Sequence, residues 1–172
     1  MSFRKALHAL ERFRPRTPLR VRPAGTEDIE ALVEMAWAGG LEAGKTITAH
    51  TADSLRDYYR ALLESEVAEV FLVEREGKAR GMVSCAMTPP DPWDDRQGVT
   101  VWALYTVPAE RNRPDVASAL LSAATEQCFA WGAKRFRVVI PQDEPRLIAR
   151  YEKTFGFRRE SVQYGYLLDA EE

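Results

Sequence analysis

Hydrophobic positions along the chain change period several times, and each change marks an element. Phe3, Ala6, Leu7, Leu10 and Phe13 recur at helical spacing, so residues 3–13 are expected to form a short amphipathic helix stopped by Pro15 and Pro18. Leu19-Arg20-Val21-Arg22 alternates as a strand does. Thr26 then stands where an N-cap belongs, ahead of Glu27, Asp28 and Glu30, whose charge suits the positive end of a helix. Ile29, Leu32, Val33 and Ala36 form the apolar stripe of that helix, and Gly39-Gly40 is expected to end it. A polar loop, LEAGKTITAH, leads to a second helix from Thr51 to Ser65 with Leu55, Tyr58, Tyr59 and Leu62 on one side.

The pattern then turns to strands. Glu69 to Glu74 and Arg80 to Met87, joined through Glu76-Gly77-Lys78, read as a hairpin. The segment PPDPWDDRQG, Pro89 to Gly98, is the largest loop, and Val99 to Val107 is a fourth strand. A long helix opens at Pro114 or Asp115 and runs to Trp131, with Gly132 as its C-terminal cap. Arg135 to Ile140 is a strand, Pro145 to Phe155 a helix ending at Gly156, and Ser161 to Leu168 a last strand. Helices and strands interleave around a central hairpin, so the sheet must be mixed. The fold class is α/β (α+β), in one domain over residues 19–172 behind an arm of residues 1–18.

Charge divides the chain in the same place. Residues 1–22 carry seven basic side chains and one acid, a net +6; the whole chain is −2, which leaves −8 for the rest. A basic amphipathic arm on an acidic body is expected to pack on the domain or on a second copy, since it lacks a base-stacking aromatic platform. Neither nucleic acid nor a membrane is expected as partner. Cys85 and Cys128 lie in apolar runs with no metal-ligand spacing, and the chain has two His, so no metal site is expected and both thiols read as reduced core residues. The start of the chain is basic without an apolar h-region, and the expected location is cytoplasmic.

One stretch carries candidate chemistry. VWALYTVP feeds ERNRPDVASALL, a strand entering a helix through a turn of the kind that binds phosphate on backbone N–H groups. Such turns ordinarily use glycine. Here Asn112, Arg113, Pro114 and Asp115 stand instead; Pro114 removes one donor, and Asp115 sets a carboxylate where an anion would sit unless it caps the helix itself. Arg111 and Arg113 flank the turn and can bind phosphate bidentately.

Three pieces together resemble the GNAT N-acetyltransferase superfamily. LYTVPAERNRPDVASALL is similar to that family's L-x-V-x-P-E-x-R-G-x-G-I-G-x-x-L-L; counted back from Leu120-Leu121, Ala117 takes the last small position, Val116 the apolar one, Asp115 the central glycine, Asn112 the leading Arg or Gln and Val107 the strand valine. Tyr151-Glu152-Lys153-Thr154-Phe155-Gly156-Phe157 is close to Y-E-K-x-G-F, and Trp131-Gly132-Ala133 before a strand matches the helix end between them. The resemblance covers about residues 19–168. It implies a mixed, mostly antiparallel six- to seven-stranded sheet with about four helices, splayed near the fourth and fifth strands. It also implies acetyl-CoA as donor and direct transfer to a primary amine, on a small molecule or a protein, and leaves a homodimer open.

The resemblance further implies that Tyr151 protonates the departing thiolate, that a backbone N–H among Tyr105, Thr106 and Val107 polarises the thioester, and that residues 107–117 hold the cofactor, with Arg111, Asn112, Arg113, Asp115, Val116 and Ala117 at the turn. Glu144 stands where many members have an Asn on the pantetheine arm, with Asp143 beside it. The fourth strand offers no carboxylate as general base, so the candidates are Glu110, Glu42, His50, Asp94 and Asp95. Asp91, Asp94 and Asp95 would suit a cationic acceptor, and Trp37, Trp93, Trp102 and Tyr105 could line its side. The alternative is a GNAT-like fold without catalysis, a binding or assembly module that has lost CoA binding.

Overall fold

The computed structural model describes residues 18–48, 50–89, 97–140, 145–154 and 157. The N-terminal helix, most of the Pro89–Gly98 loop with its three acids and Trp93, Asp143, Glu144 and the last strand lie outside the described residues.

Five strands form one sheet in sequence order: β1 (Arg20–Pro23), β2 (Ala68–Arg75), β3 (Lys78–Thr88), β4 (Gly98–Thr106) and β5 (Arg135–Val138). The first three pairings are antiparallel and β4–β5 is parallel, the mixed sheet that interleaved helices require. Four helices accompany it: α1 (Ile29–Glu42), α2 (Thr51–Leu63), α3 (Pro114–Ala130) and α4 (Pro145–Thr154). The described sheet has one strand fewer than the six expected from the pattern, the last of which lies beyond the described residues.

Alternation along the strands sorts the core into two layers. Val70 and Leu72 of β2 with Met82 of β3 meet Leu32, Val33 and Met35 of α1 and Tyr59 of α2. Phe71, Val73, Val83, Cys85, Val99 and Val101 turn to the other face and meet Val116, Leu120, Ala124 and Cys128 of α3. Both cysteines are free and buried; burial pushes the Cys85 thiol up to about 12 and that of Cys128 to about 11, as expected of inert core thiols.

Two local expectations are corrected. The first helix does not end at Gly39-Gly40 but continues to Glu42. A Cβ at Gly39 would lie 3.1 Å from the Tyr105 ring, so this glycine lets α1 close on β4. Nor does Thr26 cap that helix: residues Thr26–Asp28 form a 3-10 turn, and the Asp28 carboxylate accepts the Gly25 N–H at 2.8 Å while holding the Arg22 guanidinium at 2.6 and 2.8 Å. The β2–β3 turn is Glu76-Gly77, both at positive φ, which suits the right-handed twist of a hairpin.

Candidate active site

The site begins with a break in alternation on β4. Ser84 faces Ala103 and Cys85 faces Val101, which leaves Trp102 as the extra residue of a bulge. Before it, Val99 and Val101 point to the α3 face; beyond it, Leu104 does so and Tyr105 points to the α1 face. The bulge pushes Trp102 into solvent, 56% exposed.

The same point is where β4 and β5 part. Their pairing ends at Val101–Val138, with one further bond from the Val139 N–H to the Val101 carbonyl. On its other side β4 stays paired, since the Val107 N–H donates to the Arg80 carbonyl at 3.0 Å. Antiparallel pairing alternates, so Thr106 and Leu104 turn their backbone groups away from β3, toward the edge that β5 has left. The Arg111 guanidinium bonding the Thr106 carbonyl at 3.1 Å agrees with that direction. Of the three residues expected to polarise a carbonyl through a backbone N–H, Val107 has its N–H committed to β3, whereas Thr106 faces the open edge.

A 3-10 turn, Pro108–Glu110, carries β4 to the N-terminus of α3. Most amides there are engaged. Arg111 N–H donates to Pro108 and Arg113 N–H to Glu110; Pro114 has none; and the Val116 N–H is bonded by Asp115 Oδ1 at 2.9 Å. An anion at this turn would therefore be held mainly by side chains. Arg113, at the N-cap, is exposed. Arg111 lies over the Tyr105 ring, 5.4 Å from its centroid, and bonds Glu42 Oε2 at 2.5 Å. The Tyr105 hydroxyl also reaches Glu42, at 3.3 Å, and burial first, then the Glu42 charge, raises its pKa. Asn112 is exposed, Val116 fully buried and Ala117 half-buried.

Asp115 is buried, one carboxylate oxygen on the Val116 amide and the other turned to Arg75. Its Oδ2 accepts from Arg75 Nη2 at 2.9 Å, and the same nitrogen lies 3.3 Å from Glu110 Oε2. Arg75, Glu110 and Asp115 are 5%, 4% and 9% exposed. Glu110 thus stands buried among Arg75, Arg80 and Arg113, whereas a solvated loop residue was the expectation if it were not the base. Motif reading passed over Arg75, although a signal existed: it follows Phe71 and Val73 on the strand parity that faces α3, a charge in an apolar register.

Tyr151 of α4 is 3% exposed and forms a buried cluster with Leu121 of α3, against which Leu104 of β4 and Phe136, Val138 and Phe157 pack, its ring edge-on to Phe157 at 5.5 Å. That cluster takes in side chains from both strands that diverge. Of the other base candidates, His50 and Glu42 are exposed. Among the described residues no His, Cys, Asp and Glu cluster suits a metal ion, and no helix is long and apolar enough to cross a membrane.

The model of the acetyltransferase (GNAT) family matches residues 24–157. The chain belongs to the GNAT acetyltransferase family. Its members are acetyl-CoA-dependent N-acetyltransferases, and β4 and β5 part where the resemblance implied a splayed sheet. Solved structures agree in fold. The aminoglycoside N-acetyltransferase AAC(6')-Iy in complex with CoA has a TM-score of 0.74 at 15% identity, covering 91% of this chain and 99% of that one. A predicted acetyltransferase with acetyl-CoA from Clostridium acetobutylicum has a TM-score of 0.72 at 16% identity, over 87% and 96%. A transcriptional regulator from Bacillus halodurans C-125 has a TM-score of 0.73 at 18% identity, over 87% and 100%. No curated protein matches the chain significantly.

Proposed function

We propose that this GNAT protein transfers an acetyl group from acetyl-CoA directly to a primary amine. One observation carries the reading: the edge of β4 opened at Trp102 leads to a helix N-terminus flanked by Arg111 and Arg113, with the Asp115 carboxylate turned inward. Acetyl-CoA, as donor substrate, brings the activated acetyl group. Arg111 and Arg113 would hold its pyrophosphate as charge-assisted forks in place of glycine amides. A Thr106 N–H at the open edge would support charge developing on the thioester oxygen. Tyr151, in the cluster that both diverging strands join, would give its proton to the departing thiolate as the new C–N bond forms and the C–S bond breaks, and the surplus proton on the amine nitrogen would pass through water to restore the phenol.

The acceptor is a primary amine on a small molecule or a protein. The acids Asp91, Asp94 and Asp95 in the long loop favour a cationic one, and aminoglycoside acetyltransferases among the structural neighbours are consistent with that. The alternative, a binding module without CoA, is favoured by the engaged amides at the turn and by Glu144 where many members have an Asn. Calorimetric titration of acetyl-CoA decides between them. Micromolar binding, weakened about 30-fold or more in an Arg111→Ala/Arg113→Ala variant, is expected if each fork contributes ~1–3 kcal/mol. Absence of binding at millimolar donor would overturn the enzyme reading in favour of the module.

A further inference from the structure

Arg75 and Glu110, behind the turn, have no role in the chemistry above, and they are costly to bury. Arg75 ends β2, forty residues before Asp115, and is as deeply buried as the hydrophobic core. Its Nη2 serves both Asp115 and Glu110, while its Nε has no hydrogen-bond partner among the described residues. Glu110 Oε2 also lacks one; Arg113 lies 3.8 Å from it, and Arg80 lies 3.9 Å from Glu110 Oε1. A buried ion cluster with unmet hydrogen bonds adds little to stability compared with apolar residues of the same volume. Arg75 is also the one cation within 4.0 Å of Asp115 among the described residues.

We propose that Arg75 is a positioning residue for donor binding: it draws the Asp115 carboxylate inward and, with Glu110, fixes the turn so that an aspartate-bearing helix terminus can accept a pyrophosphate. The inference rests on the acetyl-CoA reading. Without Arg75, a carboxylate at the first turn of α3 has no cation to hold it, and its nearest relief is to rotate toward solvent. That direction is the mouth of the helix terminus, where it would repel the donor's phosphates and compete with them for Arg113. Arg75 thereby does from behind the helix what a glycine does by having no side chain.

The test compares acetyl-CoA affinity by calorimetry in the wild-type chain, Arg75→Met, Asp115→Asn and Arg75→Met/Asp115→Asn. Arg75→Met should weaken binding about tenfold or more, and the double variant should recover to within about threefold of wild type, because the penalty lies in the Asp115 charge. S-acetylpantetheine, which lacks the pyrophosphate, should bind wild type and Arg75→Met equally by ligand-detected NMR. Equal losses for both ligands would mean general damage and would overturn the proposal, as would an Arg75→Met protein that binds acetyl-CoA normally or a double variant that fails to recover. If Arg75→Met does not fold, Arg75→Lys and Arg75→Lys/Asp115→Asn replace it and the same recovery is required. A wild-type chain that does not bind acetyl-CoA removes the donor reading itself, an outcome distinct from normal binding by Arg75→Met.

Discussion

At the residue scale, Tyr151 shows how one side chain can satisfy two descriptions. Its motif position points to a proton donor, while its burial in the cluster with Leu121 describes a core tyrosine holding α4 in place. The two agree if the leaving sulfur arrives between the diverging strands, where a desolvated phenol is well placed to donate. Tyr151→Phe keeps the ring contacts and removes the proton. Turnover in an acetyl-transfer assay should fall by at least ~10-fold with acetyl-CoA affinity retained. Unchanged turnover would assign Tyr151 to packing alone. Asp115 makes the complementary point. Its identity was visible in the chain, but the direction of its carboxylate depends on Arg75, forty positions away.

At the scale of elements, β1 and α1 are tied by charge rather than by a cap. Arg22 on β1 bonds Asp28 twice and Glu74 on β2 once, at 2.8 Å, so a strand pair and a helix start share one guanidinium. Hydrogen bonding from Arg22, more than any other cause, holds the Asp28 carboxyl below the ordinary aspartate value of 3.8. A lowered folded pKa stabilises the native state above the unfolded value and is lost as pH falls through the lower folded one. Asp28→Asn should therefore lower stability by about 1–3 kcal/mol at neutral pH, read from urea unfolding, and the gap to wild type should close below pH 3.8. A gap that persisted in acid would show that the amide, not the lost charge, causes the defect. Most elements were legible in the chain because their apolar periods are long and regular. The end of α1 was not: Gly39-Gly40 resembles a stop, but the ring of Tyr105 occupies the space that a side chain there would need.

At the scale of the whole molecule, Arg111 links the turn before α3 to the C-terminus of α1 through Glu42, 69 residues apart in sequence. A pyrophosphate that uses Arg111 must compete with that carboxylate. An exposed ion pair is worth ~0.2–1 kcal/mol, so Glu42→Gln should tighten acetyl-CoA binding by up to about fivefold in the same calorimetric titration. Affinity that stayed constant would mean that Arg111 does not exchange partners on donor binding.

The chain by itself determined the element order, the two apolar faces of the sheet, the location of the strand-to-helix turn and the family, because periodicity, turn residues and motif spacing are local properties. Tertiary structure decided what the turn is. It set the bulge at Trp102 and the parting of β4 from β5, which depend on pairing between distant strands. It also decided that a carboxylate in a glycine's place pairs with a buried arginine. The side chains around Asp115 are its neighbours in space and not in sequence, and electrostatics acts through space.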